Sequence, residues 1–225
     1  ELLGRILGLN GHLAVQQVEG YVRNYDEFAR ILGSVPGIIR ATPIIEGQAM
    51  AMSKGVANGA LVRGIGALDL KQQELVSEGI LSGSLEGFGD KNAALIGSRL
   101  ARKLGLSVGD TVTLVAPTGN FTPLGTLPRA RGYQILGIFE IGMYEYDSSF
   151  IYLPLSAAQA FFQLGDKVNA VEVILDDPEN LTIARMRITN VMPRTVKIYD
   201  WQQSNFHFFT ALQVESNVMF LILTL

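Results

Sequence analysis

The sequence predicts an α+β fold in which a split βαβ domain carries an inserted β-rich subdomain. Two observations lead to this fold class. Residues 12–52 show the pattern of a strand, a helix and a strand, and residues 169–200 repeat that order. The stretch between them is dominated by alternating, strand-like runs. We therefore expect the two outer segments to pair in one sheet, with residues near 55–165 forming the insertion.

The first outer segment begins with "HLAVQQVEG", residues 12–20, whose alternation predicts a strand. Apolar residues then recur at helical spacing in residues 25–32, with Asn24 as the expected N-cap and Gly33 as the expected end of the helix. A long strand, "IIRATPIIEGQAMAMSKG", comes next. We expect Asn58 and Gly59 to form the hairpin turn into the following strand, because this dipeptide favours such turns.

The insertion continues with residues 68–89, a mixture of helical pattern and Gly/Ser-rich loop. Residues 94–97 predict a short strand, and Ser98 is the expected cap of a helix that ends at Gly105. Residues 111–116 predict another strand. After a long loop, "RGYQILGIFEI" and "SSFIYLPL" predict two more strands, and "SAAQAFFQLG" predicts a short helix.

The second outer segment starts with "AVEVILDD", a strand with Val171, Val173 and Leu175 on one face. A helix follows, with Pro178 near its first turn. "RTVKIYDW" predicts the last strand. The chain then runs from residue 202 to residue 225 as one helical pattern.

The end of that pattern, "FFTALQVESNVMFLILTL", contains neither Gly nor Pro and becomes apolar toward Leu225. One interpretation is an amphipathic helix packed on the domain. The interpretation we favour is that residues 212–225 are the start of a transmembrane helix, which needs roughly 20 apolar residues to span a bilayer.

The composition excludes several classes of function. The chain has 225 residues, of which 48% are hydrophobic, and a net charge of −3. Its Lys and Arg residues are scattered rather than gathered in a stripe, so we expect no nucleic-acid partner. There is no Cys, which excludes disulfides and Cys-ligated metal.

Catalytic residues are equally hard to find. The two histidines, His12 and His207, lie far apart in sequence and in apolar settings, and we expect them to be packing or surface residues. Asp176 and Asp177 are better explained as the end of a strand and the start of a helix than as an acid–base pair. The chain is thus expected to be a binding module without catalytic residue, metal or cofactor, rather than an enzyme.

The most unusual segment is the long loop of residues 117–128, called the hook loop below. An exposed apolar cluster of this kind is unfavourable unless a partner covers it, and the prolines restrict the free loop so that less entropy is lost on docking. The alternative is a lid that folds back on its own sheet. The apolar residues are Phe121, Leu124 and Leu127, and the prolines are Pro117, Pro123 and Pro128.

Three stretches carry a resemblance to a known family: "ALIGSRLARKLGLSVGDTVTLVAP", "FTPLGTLP" and "YQILGIFE". Together with "VPGIIRATPIIEGQAM" and the C-terminal stretch, they resemble the periplasmic domain of the LolC/LolE family of lipoprotein-releasing ABC transporter permeases. The first stretch is shared with the wider superfamily of MacB- and FtsX-type permeases. The hook-loop motif is more specific and is similar to the LolC-like type.

The resemblance implies a MacB-like periplasmic core with two parts. Residues 1–54 and 168–211 would form the porter-like βαβ domain, and residues 55–167 the sabre-like subdomain that carries the hook loop. In that family the hook enters the apolar cavity of the periplasmic carrier LolA, which receives a lipoprotein extracted from the inner membrane. The other implied partners are a second permease subunit, the ATPase subunit LolD, lipoprotein substrates and the inner membrane of a Gram-negative bacterium.

The same resemblance assigns partner-binding roles to the hook loop and the two arginines after it. The family's polar pad at the loop base departs from its pattern here, since Ala130 stands where a glutamine is expected and Thr113 where an arginine is expected. This leaves a LolC, a LolF or, less favoured, a LolE type open. The partner-binding set is Pro117, Asn120, Phe121, Thr122, Pro123, Leu124, Gly125, Leu127, Pro128, Arg129 and Arg131.

A function of another class is a mechanical coupling ectodomain of the MacB or FtsX type. Such a domain would transmit ATP-driven motion to a periplasmic adaptor or a cell-wall enzyme. The apolar hook loop favours carrier recruitment, because a coupling domain has no evident use for it.

Overall fold

A computed structural model describes residues 9–116, 120–122, 125–127, 129–192 and 196–200, with the backbone alone for 120–122 and 125–127. Two compact units are present: unit 1 ends at Ile45 and resumes at Leu164, and unit 2 is Glu46–Gln163. The sequence placed these boundaries after residues 54 and 167. The strands are β1 (Leu13–Gln17), β2 (Ile38–Ser53), β3 (Val56–Ile65), β4 (Ile80–Gly83), β5 (Ala93–Gly97), β6 (Thr111–Val115), β7 (Asn120–Thr122), β8 (Gly125–Leu127), β9 (Ala130–Phe139), β10 (Phe150–Pro154), β11 (Ala170–Leu175) and β12 (Val196–Asp200); the helices are α1 (Tyr25–Gly33), α2 (Ala67–Lys71), α3 (Glu74–Ser77), α4 (Ser98–Leu104), α5 (Tyr144–Ser149), α6 (Leu155–Phe162) and α7 (Leu181–Val191).

Unit 1 is built on a sheet in the order β12-β1-β11-β2, where β2 contributes its first half. β11 pairs antiparallel with β1 on one side and with β2 on the other. The expected pairing of residues 12–52 with residues 169–200 is therefore confirmed. The predicted face of β11 is confirmed as well, because Val171, Val173 and Leu175 are all buried. The helices α1 and α7 add buried apolar residues to this core, among them Leu32 and Ile188.

His12 precedes β1 and has a structural role. It is buried, and its Nδ1 accepts a hydrogen bond of 3.0 Å from the backbone N–H of Leu175. Burial lowers the pKa of His12 below its ordinary value. The ring is therefore kept neutral, as its acceptor role requires. The other histidine, His207, lies outside the described residues.

In unit 2 the strand pairings close into a ring. β2 pairs with β3, β3 with β10, β10 with β5, β5 with β9, β9 with β6, and β6 returns to the second half of β2. A closed ring leaves no free edge among its members. β4 lies outside the ring and pairs with the last part of β9, beyond the residues that pair with β6.

Two buried charges lie in unit 2. Arg63 is 1% exposed, and its Nε is 2.9 Å from Oε1 of Glu46, which compensates the buried guanidinium. The carboxylate of Asp147 accepts backbone hydrogen bonds from Ile141 at 2.9 Å and Gly142 at 3.1 Å. Burial raises the pKa of Asp147, and these two hydrogen bonds offset part of that effect.

Several local predictions were wrong. The turn between β2 and β3 is at Lys54 and Gly55, both with positive φ, whereas Asn58 and Gly59 lie inside β3. Ser98 is the first residue of α4 and Gly97 is its N-cap, while the Ser98 hydroxyl donates a hydrogen bond of 2.9 Å to Glu140 Oε1.

The ends of two other helices also differ. Asn24 does occupy the N-cap of α1, but in a left-handed conformation without a side-chain capping bond. Pro178 lies before α7, whose N-cap is Asn180. The carboxylate of Asp177 instead organises this turn by accepting a hydrogen bond of 3.0 Å from the backbone N–H of Glu179. The short helix α5 was not predicted.

The predicted C-terminal helix, including the transmembrane start at residues 212–225, lies outside the described residues. Among the residues that are described, no helix combines the length and the apolar character needed to cross a membrane.

Candidate partner-binding site

The hook loop begins and ends on a regular hairpin of β6 and β9. Their antiparallel register places Val112 opposite Tyr133 and Leu114 opposite Arg131. One more backbone hydrogen bond, 2.9 Å from Ala116 N to Arg129 O, extends the hairpin to the last described residues on both sides. β6 also pairs with β2 along its other edge, and β9 with β5. Both strands at the base of the hook loop are thus paired on both sides.

Within the hook loop, β7 and β8 form a second, two-stranded antiparallel ribbon. Asn120 is paired with Leu127, and Thr122 with Gly125. The loop therefore contains regular hairpin structure rather than only irregular chain. Pro117, Pro123, Leu124 and Pro128 lie outside the described residues, and for Asn120, Phe121, Thr122, Gly125 and Leu127 the backbone alone is described. The expected exposure of Phe121, Pro123 and Leu124 stays a prediction.

The β6–β9 hairpin has two distinct faces. On one face, Val112, Leu114, Tyr133 and Ile135 are buried. On the other, Thr111, Ala130, Gly132 and Gln134 are exposed and Thr113 is half-exposed. The period of two along a strand places Arg129 and Arg131 on the buried face. The predicted pad positions therefore divide between two faces: the two arginines lie on one, and Thr113 and Ala130 lie on the other.

Arg131 is held above an aromatic ring. Its guanidinium carbon is 5.6 Å from the centroid of Tyr133, a distance typical of a cation–π interaction. Tyr133 is 0% exposed. Burial raises the pKa of Tyr133, while the charge of Arg131 opposes that shift. Arg131 itself remains half-exposed, at the border between the core and solvent.

Arg129 is tied more closely to the hairpin. It is half-exposed as a residue, but its Nε and Nη1 atoms are shielded from solvent. Its backbone carbonyl accepts the bond from Ala116 that ends the hairpin. Part of the Arg129 guanidinium is therefore inaccessible to a partner.

Tyr133 was missed by the sequence prediction. Its signal is the alternation Arg131, Tyr133, Ile135 within β9, which places the arginine on the same face as two apolar residues. Reading that alternation would have shown that Arg131 has a neighbouring ring. It would not have shown the distance between them.

The described part of the chain contains no group of three or more His, Asp or Glu side chains placed to hold a metal ion. By residue type, the hook loop is rich in apolar residues, and two cationic residues, Arg129 and Arg131, follow it in the sequence.

Comparison with known proteins identifies the family of the fold. The family model of the MacB-like periplasmic core domain matches residues 6–191. Along its whole length the chain is 29% identical to the lipoprotein-releasing system transmembrane protein LolC of Neisseria meningitidis serogroup B, and 25% identical to LolC of Xylella fastidiosa. It is 22% identical to LolE of Haemophilus influenzae. The chain spans 55% of the Neisseria protein and 54% of the Xylella protein, about half of each relative.

Solved structures show the same fold. The periplasmic region of MacB from Actinobacillus actinomycetemcomitans has a TM-score of 0.57 at 16% identity, covering 92% of this chain and 97% of that one. The extracellular domain of the noncanonical ABC-type transporter YknZ from Gram-positive bacteria has a TM-score of 0.54 at 14% identity, covering 84% of this chain and 99% of that one. Since the family model covers most of the chain and these folds agree, the protein belongs to the family of MacB-like periplasmic core domains.

Proposed function

We propose that this domain is the periplasmic part of a permease subunit in the ABC transporter that releases lipoproteins from the inner membrane. In this proposal the hook loop recruits the periplasmic carrier LolA. The observation that carries it is the coincidence of the motif "FTPLGTLP" with the β7–β8 ribbon at the end of the β6–β9 hairpin. Similarity to LolC along the whole chain supports the same assignment.

Burial of the apolar hook loop in a carrier would contribute to the free energy of binding. Burying about 300 Å² of apolar surface contributes about 7 kcal/mol at roughly 25 cal/mol per Å². Association costs several kcal/mol of this, so the apolar loop alone gives an affinity weaker than micromolar, which needs about 8 kcal/mol, and further contacts at the loop base must supply the rest. A carrier must release the domain after loading, and an affinity of this order allows rapid exchange.

The remaining partners follow from the same proposal. A second permease subunit and the ATPase subunit LolD complete the transporter, and ATP is hydrolysed on LolD rather than on this polypeptide. The domain lies on the periplasmic side of the inner membrane of a Gram-negative bacterium. Residues 1–54 and 168–211 act as the porter and residues 55–167 as the sabre.

One observation favours a second candidate function. The fold is shared with the periplasmic region of MacB and the extracellular domain of YknZ. A domain that transmits ATP-driven motion to an adaptor or a cell-wall enzyme would have this fold without binding LolA. A measurement of LolA binding therefore distinguishes the two candidate functions.

The test is the double variant Phe121→Asp with Leu124→Asp, with LolA binding measured by calorimetry and domain stability by thermal melting. We expect binding to be lost and Tm to change little, because two charges cannot enter an apolar cavity without a large desolvation cost.

The matched control is Leu68→Asp with Leu81→Asp, which alters two side chains of unit 2 that are 76% and 61% exposed. This control should bind LolA as the parent does. Retained binding in the hook-loop variant would exclude the proposed function. A collapsed melting transition would show that the loop belongs to the core.

A further inference from the structure

We infer that Tyr133 is a positioning residue, whose ring holds the Arg131 guanidinium ready to meet acidic groups of the docking partner. This inference rests on the proposed function, since it concerns how the base of the hook loop is prepared for its partner. It assigns a role to a residue that the family resemblance left out.

The charge of Arg131 is available for a partner. Within the described part of the chain, Arg131 makes no ion pair or side-chain hydrogen bond, and its contact is with the ring of Tyr133 at 5.6 Å. It lies opposite Leu114, on the face that becomes buried further along β9. The contact with the ring is attractive, and it leaves N–H donors of the guanidinium for a partner, because an aromatic ring offers no oxygen that would accept them.

The ring itself has a fixed position. Tyr133 is fully buried and packs edge-to-face against Phe161, with centroids 6.2 Å apart. Phe161 packs in the same way on Phe162 at 4.9 Å. Phe162 lies so close over Gly47 that a Cβ at that position would be 2.5 Å from the ring. The end of α6 therefore fixes the platform on which Arg131 rests.

A fixed platform reduces the cost of binding. A free arginine side chain loses much conformational entropy when a partner immobilises it, and an arginine already held over a ring has lost part of that entropy before binding. A charge held at the border of an interface also steers the encounter and raises the association rate more than the final affinity. Tyr133 should thus act on the association rate through Arg131.

The hydroxyl of Tyr133 is not needed for this role. It is buried and has no hydrogen-bond partner among the described residues. Tyr133→Phe keeps the ring and removes only the hydroxyl, so the positioning should be preserved. Tyr133→Met keeps a similar volume without a ring, so the positioning of Arg131 should be lost. Comparison of the two variants therefore distinguishes the effect of the ring from the effect of the rest of the side chain.

The experiment measures association of LolA with the domain by stopped-flow fluorescence at several salt concentrations. We expect Arg131→Gln to lower the association rate about fivefold at low salt and to flatten its salt dependence. Tyr133→Met should lower the rate about twofold, and Tyr133→Phe should match the parent. In the Arg131→Gln background, Tyr133→Met should have no further effect.

Phe139→Met is the matched control, since Phe139 is a buried ring of the same strand that packs on Tyr152 at 5.4 Å, and none of the described arginines lies over it. An equal loss of rate in Phe139→Met, or an undiminished effect of Tyr133→Met without Arg131, would show a merely structural role and overturn the inference. Parent-like association of Tyr133→Met would overturn it as well.

Should Tyr133→Met fail to fold, Arg131→Lys provides an independent measurement. Lysine keeps the charge but not the planar stacking, so the salt dependence should persist while the rate falls about twofold. An unchanged rate would overturn the inference. Failure of the proposed function is recognised separately, because either the parent domain would then not bind LolA, or the Phe121→Asp, Leu124→Asp variant would bind it as the parent does.

Discussion

His12 joins the start of β1 to the end of β11 through a buried hydrogen bond, with its Nδ1 accepting from Leu175 N. Only the neutral ring can accept there. Because burial lowers the pKa of His12 in the folded state, the unfolded chain binds the proton more readily than the folded chain does. The stabilisation is therefore complete above the ordinary histidine pKa of about 6.5 and is lost as the pH falls below it.

This linkage gives a testable pH dependence. The parent should lose about 1 kcal/mol of unfolding free energy between pH 7.5 and pH 5 through His12, the typical value of one buried hydrogen bond. His12→Asn places a non-titrating amide oxygen near the position of Nδ1 and should remove that part of the slope. Urea unfolding at several pH values measures both proteins.

The difference between the two curves is the informative quantity, since Asp147 acts in the opposite direction. Its folded pKa is raised, so the cost of burying its charge is relieved as the pH falls. Parallel pH curves for the parent and His12→Asn would contradict the assigned role of His12.

At the scale of elements, the β2–β3 hairpin shows why the turn was misplaced. Asn-Gly is a strong turn signal, yet the chain turns at Lys54 and Gly55, where φ is +48° and +81°. The pairing of two long strands decides the register, because a shift would move their buried residues to the other face. The Arg63–Glu46 ion pair, at the far end of the hairpin from this turn, fits that register.

Two glycine substitutions distinguish these turns. Gly55→Ala should lower the unfolding free energy by about 1 kcal/mol, because alanine is strained at a φ of +81°. Gly59→Ala should be neutral or slightly stabilising, since nothing lies within 4 Å of its added Cβ and its φ is not positive. Denaturant unfolding of both variants gives the comparison, and the reverse order would restore the turn at Asn58 and Gly59.

The strands could be predicted largely from alternation, as β1, β6, β9 and β11 show, because every second residue of a half-buried strand faces the core and is apolar. The short helices could not be predicted in this way. α5 has six residues, and its place is set by tertiary contacts such as the hydrogen bonds of Asp147 to Ile141 and Gly142. Local sequence carries little of that information.

Some features of the candidate site could likewise be predicted from local sequence, and others could not. The sequence identified the hairpin of β6 and β9 and the apolar composition of the hook loop, both of which are local properties. It did not separate the faces that carry Arg131 and Thr113, nor find the ring of Tyr133 against Phe161, because these depend on register and on a helix distant in sequence.

At the scale of the whole molecule, the pairings of the strands in unit 2 lead us to expect that the hook loop is dispensable for folding. β6 is held by β2 and β9, and β9 by β5, β6 and β4, so the hairpin does not depend on the loop for its register. We therefore expect substitutions in the loop to have little effect on the stability of the core.

Under the proposed function, this independence can be tested in the complete permease. Replacing residues 117–128 with Asn-Gly would join Ala116 directly to Arg129 by a two-residue turn, and these two residues already share a backbone hydrogen bond of 2.9 Å. The Tm of the isolated domain should change by only a few degrees, equivalent to about 1 kcal/mol. In cells, release of lipoproteins to LolA should fail, and outer-membrane lipoproteins should accumulate in the inner membrane. Membrane fractionation measures this outcome. Normal lipoprotein sorting by the shortened permease would instead favour the mechanical coupling function, for which the fold suffices and the hook loop does not matter.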